Sequence, residues 1–338
     1  MAETRVLLIN SWDPPVSLYI YSRLLLSISN HIGIIDINDV LPSNRFRKNF
    51  KNFLLTFTGI NIVYKIPTKN YIVHYIDPAV APLSKENKNI VTIWDNPFKV
   101  LNTDLYMESF LMKMRFKENI RRFSKYSNVI TPSNYIKKSL EEYGFDSKIM
   151  VIPAPVRPIF KNIPDKIQLR KDLGLPLEKK LILSISVDVK RKNLDLVKKL
   201  SYKLGTSYRI VRIGESVGDC INFQKIDDDK LIKIYNAFDV LFIPSFEEGQ
   251  GFPIAEAFKT GLPVVASDIP VFREIAGNAA VFIDPMDEIS ALNGIRDAIS
   301  RTEELIEKGN VRSKLFDYSL FKQKMLNYYG RISGEHFF

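Results

Sequence analysis

Two glutamates, Glu248 and Glu256, stand with seven residues between them in the stretch Val240 to Gly261, VLFIPSFEEGQGFPIAEAFKTG. An ionised carboxylate accepts hydrogen bonds from two hydroxyls at once, so each suits a vicinal diol such as a ribose or a sugar ring. Gly249 and Gly251 precede Pro253, which sits where a helix would start, and Gly261 supplies the stop. The layout is strand, glycine-bearing loop, helix. It aims unpaired N–H groups and the positive end of a helix dipole at whatever lies above the strand, which suits a phosphate. A phosphate flanked by two diols outlines a sugar nucleotide. The plainer alternative makes Glu248 a solvated loop residue and Glu256 a charge on a helix face.

A second constellation is Asp188-Val189-Lys190-Arg191-Lys192-Asn193, which opens a helix at Leu194. Consecutive cations at a helix N-terminus are unfavourable unless an anion is bound there. The stretch reads as an anion site built on Lys192 and Arg191, or as a solvated basic start to a helix.

The elements that must position these residues read as strands alternating with helices, the pattern of a parallel α/β sheet. In the first half the strand-like runs are Arg5 to Asn10, Ile32 to Val40, Tyr71 to Ile76, Asn89 to Trp94 and Val129 to Thr131, with helices at about Ser17 to Ser29 and up to Tyr143. Clustered prolines from Pro153 to Pro158, with Pro164 near, mark a boundary. The second half adds strands at Lys180 to Val187, Tyr208 to Gly214, Cys220 to Ile226, Val240 to Ile243, Leu262 to Ala266 and Val281 to Ile283. A helix at Asp227 to Phe238 leads into the glutamate stretch, and an amphipathic helix runs to about Ile332. The expected division is residues 1–160, residues 161–315, and a closing segment of residues 316–338.

Glu-x7-Glu within EGQGFPIAEAFKTGLPVVASDIPVFREIAG resembles the signature of the retaining nucleotide-sugar glycosyltransferases of family four. The matching residues are Gly249, Gly251, Pro253, Glu256, Ala257, Gly261, Pro263, Val264, Ser267 and Glu274. The resemblance implies the GT-B fold, two doubly wound Rossmann-like domains facing across a cleft with residues 316–338 crossing back to the first domain, and a hexosyltransferase using a UDP- or GDP-linked sugar. If Lys192 and Arg191 meet the diphosphate charge no metal is needed, and no Asp cluster suggests one. It implies that Glu256 holds the ribose hydroxyls and Glu248 the transferred sugar, with Lys192 and Arg191 neutralising charge on the diphosphate. Gly249, Gln250, Gly251 and Phe252 would line the donor, the amides of Gly251 and Phe252 meeting phosphate. No further cofactor is implied. Members carry a His-Asp pair where this chain has Trp94-Asp95, which places Trp94 at the donor sugar. Other departures are Trp12 and two prolines in a first loop that is usually glycine-rich, Ala154-Pro155 for Asn-Gly, Ser186 for glycine and Gln250 for an aromatic residue. They leave a second reading, a catalytically degenerate GT-B protein that binds a sugar nucleotide or a partner. Trp12 would stack on an acceptor or pack against its own domain, and His74 would compensate for the missing histidine or sit satisfied in the core.

The 338 residues suffice for two ordinary domains, and 46% hydrophobic content supports real cores. A single cysteine excludes an internal disulfide framework, and three histidines beside it argue against zinc. No apolar run reaches spanning length, so the expectation is a cytoplasmic protein, free or peripheral at a membrane. The charge is uneven: residues 1–162 hold 22 Lys and Arg against 13 Asp and Glu, out of a net +10 for the chain. That asymmetry points to an anionic partner for the first half. Arg45 to Leu55 interleaves bases with Phe46, Phe50 and Phe53, which fits a helix lying on an anionic membrane or a core-facing helix with a basic back. Lys113 to Lys125 is open to the same two readings. Nucleic acid ranks last among the partners, because no base-reading motif is present. The acceptor is not legible.

Overall fold

The computed structural model describes residues 5–10, 16–36, 71–78, 88–106, 110–224 and 226–334. Trp12 with its loop, the stretch Arg45 to Leu55 and residues 37–40 of the expected second strand lie outside the described residues. The chain divides into two compact units, one of Met1–Thr103, Met107–Ala154 and Ser319–Phe338, the other of Asp104–Tyr106 and Pro155–Tyr318.

In the first unit β1 (Arg5–Asn10), α1 (Val16–Leu26), β2 (Ile32–Asp36), β3 (Tyr71–Tyr75) and β4 (Asn89–Thr92) are followed by α2 (Pro97–Asn102) and α3 (Phe110–Phe123). Then come β5 (Asn128–Thr131), α4 (Asn134–Glu142) and β6 (Lys148–Val151). Local chemistry sets the helix starts: the Asn96 side chain accepts the Phe98 N–H at 3.0 Å ahead of α2, and the Ser133 hydroxyl accepts that of Ile136 at 3.3 Å ahead of α4. The six strands are all parallel, in the order β2-β1-β3-β4-β5-β6. Strand interiors such as Val73, Val91 and Val129 pack with Ile120 and Phe123 of α3 and with Ile136 and Leu140 of α4. The C-terminal half of α3 thus follows the core-facing reading of the Lys113 to Lys125 stretch. Of its cations, Arg121 and Arg122 bond Glu118 at 2.9 and 3.2 Å. β6 has no counterpart among the expected strands. It is a four-residue edge strand running straight into the proline cluster, too short for an alternating pattern to show.

The second unit starts with α5 (Lys166–Asp172) and β7 (Lys180–Ile185). A 3-10 turn at Lys190–Lys192 leads into α6 (Leu194–Lys203), then β8 (Tyr208–Ile213), β9 (Ile221–Phe223), α7 (Asp228–Ala237) and β10 (Val240–Ile243). Next are α8 (Phe252–Thr260), β11 (Val264–Ser267), α9 (Pro270–Ala276), β12 (Ala280–Ile283), α10 (Glu288–Ser300) and α11 (Thr302–Ser313). β9 is shorter than expected, ending at Phe223, while Asp227 caps α7 through the Lys230 N–H at 2.8 Å. The sheet is again wholly parallel, in the order β12-β11-β10-β7-β8-β9. Counted from β7 this is the doubly wound order 3-2-1-4-5-6, with the chain reversing direction across the sheet between β7 and β10.

That sheet is buried on both faces, which is why its strands read as apolar runs. Ile182, Phe242 and Val265 pack with Val197 and Leu200 of α6 and Ala291, Ile295 and Ala298 of α10. Each such side chain contributes about 1.5–3 kcal/mol by leaving water. Gly294 lets α10 lie close on the sheet, since a Cβ there would stand 2.3 Å from Ile283 Cγ2. At the amino ends of β7 and β10, Asp239 accepts the Arg170 guanidinium at 2.6 Å and the Leu181 N–H at 2.7 Å, pinning α5. The last helix, α12 (Tyr318–Ser333), belongs from Ser319 onward to the first unit. There the Tyr329 hydroxyl meets His74 Nδ1 at 2.8 Å.

Candidate active site

In a doubly wound sheet ligands sit beyond the carboxyl ends of the strands where the order reverses. In the second unit that point is flanked by the segments leaving β7 and β10, and they carry the residues singled out above. The β7 segment ends in the 3-10 turn Lys190–Lys192 and Asn193, held left-handed at φ 54°. The Asn193 side chain donates to the Pro285 carbonyl at 2.8 Å, an anchor that holds this turn. The β10 segment runs from Pro244 to Gly251. The two are stitched together by the Phe246 N–H donating to the Arg191 carbonyl at 2.8 Å.

Side chains converge at this seam. Arg191 Nη1 donates to Glu248 Oε2 at 2.9 Å, and Lys192 Nζ donates to Oε1. The Ser245 hydroxyl donates to the same Oε1 at 2.9 Å. Glu248 is 8% exposed, so it is not a solvated loop residue. Burial by itself would raise its carboxyl; the charges of Lys192 and Arg191, with hydrogen bonds from Lys192 and Ser245, outweigh that and hold it below the usual range. The cations that looked unfavourable at a helix start therefore have an anion within the chain. The Arg191 guanidinium also lies over the Tyr106 ring, 5.3 Å from its centroid.

Glu256 lies on the second turn of α8. It is half-buried and accepts the Tyr235 hydroxyl of α7 at 2.6 Å. Here burial dominates, pushing the carboxyl from its ordinary 4.5 up to about 7 against the Tyr235 hydrogen bond and the charge of Arg157. Glu248 and Glu256 are thus set at different ionisation thresholds by their surroundings. Gly251 caps α8 in the left-handed region at φ 79°, and Pro253 is the second helical residue, not the first as the sequence reading had it. The first N–H groups of α8 lack partners within the helix. Gly249 is half-buried, Gln250 is 3% exposed, and Phe252 begins the helix. No group of three or more His, Cys, Asp and Glu side chains able to hold a metal occurs among the described residues.

Trp94 lies in the first unit, just past β4. Its indole N–H donates to the Ile76 carbonyl at 3.0 Å and its ring meets Tyr21 edge-on, centroids 4.8 Å apart. That N–H is engaged within its own unit, so what Trp94 has to offer a sugar is ring surface. His74 does not take over the missing histidine's part. It is fully buried, its Nε2 meets Thr92 Oγ1 at 2.7 Å, and burial drives its pKa down to about 3. It is a neutral core histidine.

Sequence reasoning missed Ser245 and Tyr235. A serine closing a strand and an aromatic on an apolar helix face carry no signal that they reach a glutamate; only the fold brings Tyr235 to Glu256, 21 positions on.

Residues 165–310 match the family model described as Glycosyl transferases group 1. The O-antigen chain mannosyltransferase RfbU of Salmonella typhimurium is 27% identical over 242 residues, 66% of this chain and 65% of that protein. The putative teichuronic acid biosynthesis glycosyltransferase TuaC of Bacillus subtilis is 24% identical over 64% of this chain and 57% of its own length. The matched region thus spans somewhat under two thirds of these relatives. Among solved structures, sucrose-phosphate synthase from Thermosynechococcus elongatus superposes with a TM-score of 0.75 over 98% of this chain and 100% of that one, at 15% identity. The Anabaena protein HepE, in complex with UDP and glucose, gives 0.75 over 97% and 100%, at 13% identity. Residues 165–310 are thus similar to the glycosyl transferases group 1, and the fold class is GT-B.

Proposed function

We propose that this chain is a retaining, metal-independent glycosyltransferase that moves a hexose from a nucleoside-diphosphate sugar to a glycan-type acceptor. The observation that carries the reading is the meeting of Lys192, Arg191 and Glu248 at the reversal point of the second sheet. Glu256 holds the ribose hydroxyls, and the N–H groups of Gly251 and Phe252 at the start of α8 take phosphate oxygens. An ammonium has three donors and a guanidinium five, so bonding to Glu248 does not by itself exhaust either cation. Both are placed to meet charge that grows on the diphosphate as the anomeric C–O bond breaks. Glu248 fixes the two cations and offers its remaining acceptor capacity to a sugar hydroxyl. The acceptor oxygen then bonds the anomeric carbon on the face the diphosphate leaves, and the departing phosphate takes the acceptor's proton. Gly249 and Gln250 complete the donor surface in this reading.

Relatives named as O-antigen mannosyltransferases make mannose the first sugar to try and a surface glycan the first acceptor class. No helix among the described residues is long and apolar enough to cross a membrane. Contact with an anionic membrane surface through the basic first half remains part of this proposal. The test is a thermal-shift panel of GDP-mannose, UDP-glucose and the bare nucleotides, followed by an NMR assay of donor hydrolysis and transfer with and without EDTA. The expected result is a raised Tm with one donor, an α-product from an α-linked donor, and turnover unchanged by EDTA. Binding with neither hydrolysis nor transfer to any acceptor would favour the catalytically degenerate alternative, and no binding would overturn both readings.

A further inference from the structure

Arg212, near the carboxyl end of β8, is 0% exposed. A buried guanidinium is costly unless its charge is paired and its five N–H donors are satisfied. Here neutral oxygens meet most of the donors, and no carboxylate meets the charge. Nε donates to the Glu215 carbonyl at 2.8 Å, Nη1 to the Ser184 hydroxyl at 3.2 Å, and Nη2 to the Ser186 carbonyl at 3.0 Å. Nη1 also reaches the Ser186 hydroxyl at 3.5 Å. Asp188 and Glu215 act on the charge only through space, from exposed side chains.

Filling a core needs no charge, since an unbranched methionine adapts to the same space. What the fork does is tie two strand exits together. Ser184 and Arg212 are partners in register across β7 and β8, and the Ser186 N–H donates to the Ile213 carbonyl at 3.2 Å. Gly214 admits this close approach: at φ 128°, a Cβ there would stand 2.2 Å from the Ser186 carbonyl oxygen. The chain leaving Ser186 passes through Asp188 into the turn Lys190–Lys192. Downstream that segment is held by the Phe246 N–H on the Arg191 carbonyl and by Asn193 on the Pro285 carbonyl. Arg212 supplies the hold at its upstream end. Its bonds go to Ser184, Ser186 and Glu215 and not to the turn's own side chains, so it acts on the turn through the backbone.

We propose that Arg212 is a positioning residue for the donor's diphosphate: by clamping the exit of β7 it fixes where the turn Lys190–Lys192 stands. The inference rests on the proposed function, in which Lys192 and Arg191 meet that diphosphate. A charge held in place meets growing negative charge without reorganising, so its placement counts as much as its presence. A displacement on the order of 1 Å can cost about 10²-fold in rate.

The test is calorimetric titration of the full chain with UDP and GDP, and with the monophosphate of whichever the parent binds. The monophosphate lacks the terminal phosphate that the cations would meet. Arg212→Met should weaken the diphosphate about tenfold, a coupling of the size found within one hydrogen-bonded network, and leave the monophosphate near parental. Lys192→Ala should weaken the diphosphate too, and adding Arg212→Met to it should cost less than Arg212→Met does alone, because the clamp then has one cation fewer to place. A merely structural role predicts equal losses for the two nucleotides and additive costs. Arg212→Lys keeps the charge but cannot span three oxygens, so it should show most of the same loss, and it decides the matter if Arg212→Met does not fold. Parental diphosphate binding in the Arg212 variants, a loss shared equally by the monophosphate, or additive costs would overturn the inference. A parent that binds neither diphosphate, or a Lys192→Ala chain that binds as the parent does, would instead overturn the donor site on which it rests.

Discussion

An ammonium that already touches a carboxylate is held in place before any ligand arrives, and that is the state of Lys192 on Glu248. Positioned charge stabilises a developing oxyanion at little reorganisation cost, so losing it should show in turnover. Lys192→Ala should lower kcat about 10²–10³-fold, by comparison with the removal of one such donor elsewhere. A kinetic assay with the donor found by thermal shift checks this, and parental turnover would remove the role. Glu256 carries a second expectation at this scale. Its folded-state pKa of about 7 lies above the ordinary 4.5, so the folded chain holds more protons than the unfolded one in that interval. Stability from this group is complete below 4.5 and is lost as pH rises through 7. Melting temperatures across that range should fall less steeply in Glu256→Gln than in the parent. Nucleotide affinity should run the other way, strengthening as the carboxylate forms near pH 7 and accepts the ribose diol. Glu248, held low, contributes stability above the ordinary carboxylate range that is lost on acidification through its depressed folded value.

Among the elements, the start of α8 is set by one backbone torsion. Gly251 sits at φ 79°, and a Cβ there would stand 2.8 Å from Phe272 Cε1 of α9. Gly251→Ala should therefore lower stability by about 1–2 kcal/mol from the left-handed backbone alone, with the Phe272 contact adding to it. Thermal unfolding measures the loss, and weakened donor binding should accompany it, because the N–H groups proposed to meet phosphate move with the cap. An unchanged melting temperature would count against this account. The elements of the second unit were largely legible, because a strand buried on both faces writes itself as an apolar run and helix stops write themselves as glycine. VLFI of β10 and the glycine closing α8 are examples. The site was legible as a set of residue types but not as an arrangement. Nothing in the order of residues says that Glu248 would spend its oxygens on Arg191, Lys192 and Ser245, or that Tyr235 would bond Glu256. Those contacts join loops and helices whose approach is fixed by the sheet order. β6 escaped because four residues at a sheet edge offer no periodicity, and the bond from the Trp94 indole to the Ile76 carbonyl is a tertiary fact that no sequence pattern carries.

For the molecule as a whole, the first unit is assembled from separated stretches of chain. Tyr329 comes from beyond the entire second unit to bond His74, which is buried and neutral. Tyr329→Phe leaves that ring nitrogen without its partner in the core and should cost about 1–3 kcal/mol. The loss should fall on the thermal transition of the first unit while that of the second is unmoved; a shift of both together would show that the units melt as one. The basic excess of residues 1–162 is a property of this scale as well, and part of it lies outside the described residues.

The return of α12 has a consequence for how the protein is made. During synthesis the residues of β1 to β6 leave the ribosome before the second unit, yet the strip that seals them is translated after it. The second unit, nearly continuous in the chain, can close while the earlier-made half still waits with an open flank. Chains truncated before Ser319 and released should therefore carry a protease-resistant second half behind a protease-sensitive first half, reversing the order in which the two are translated.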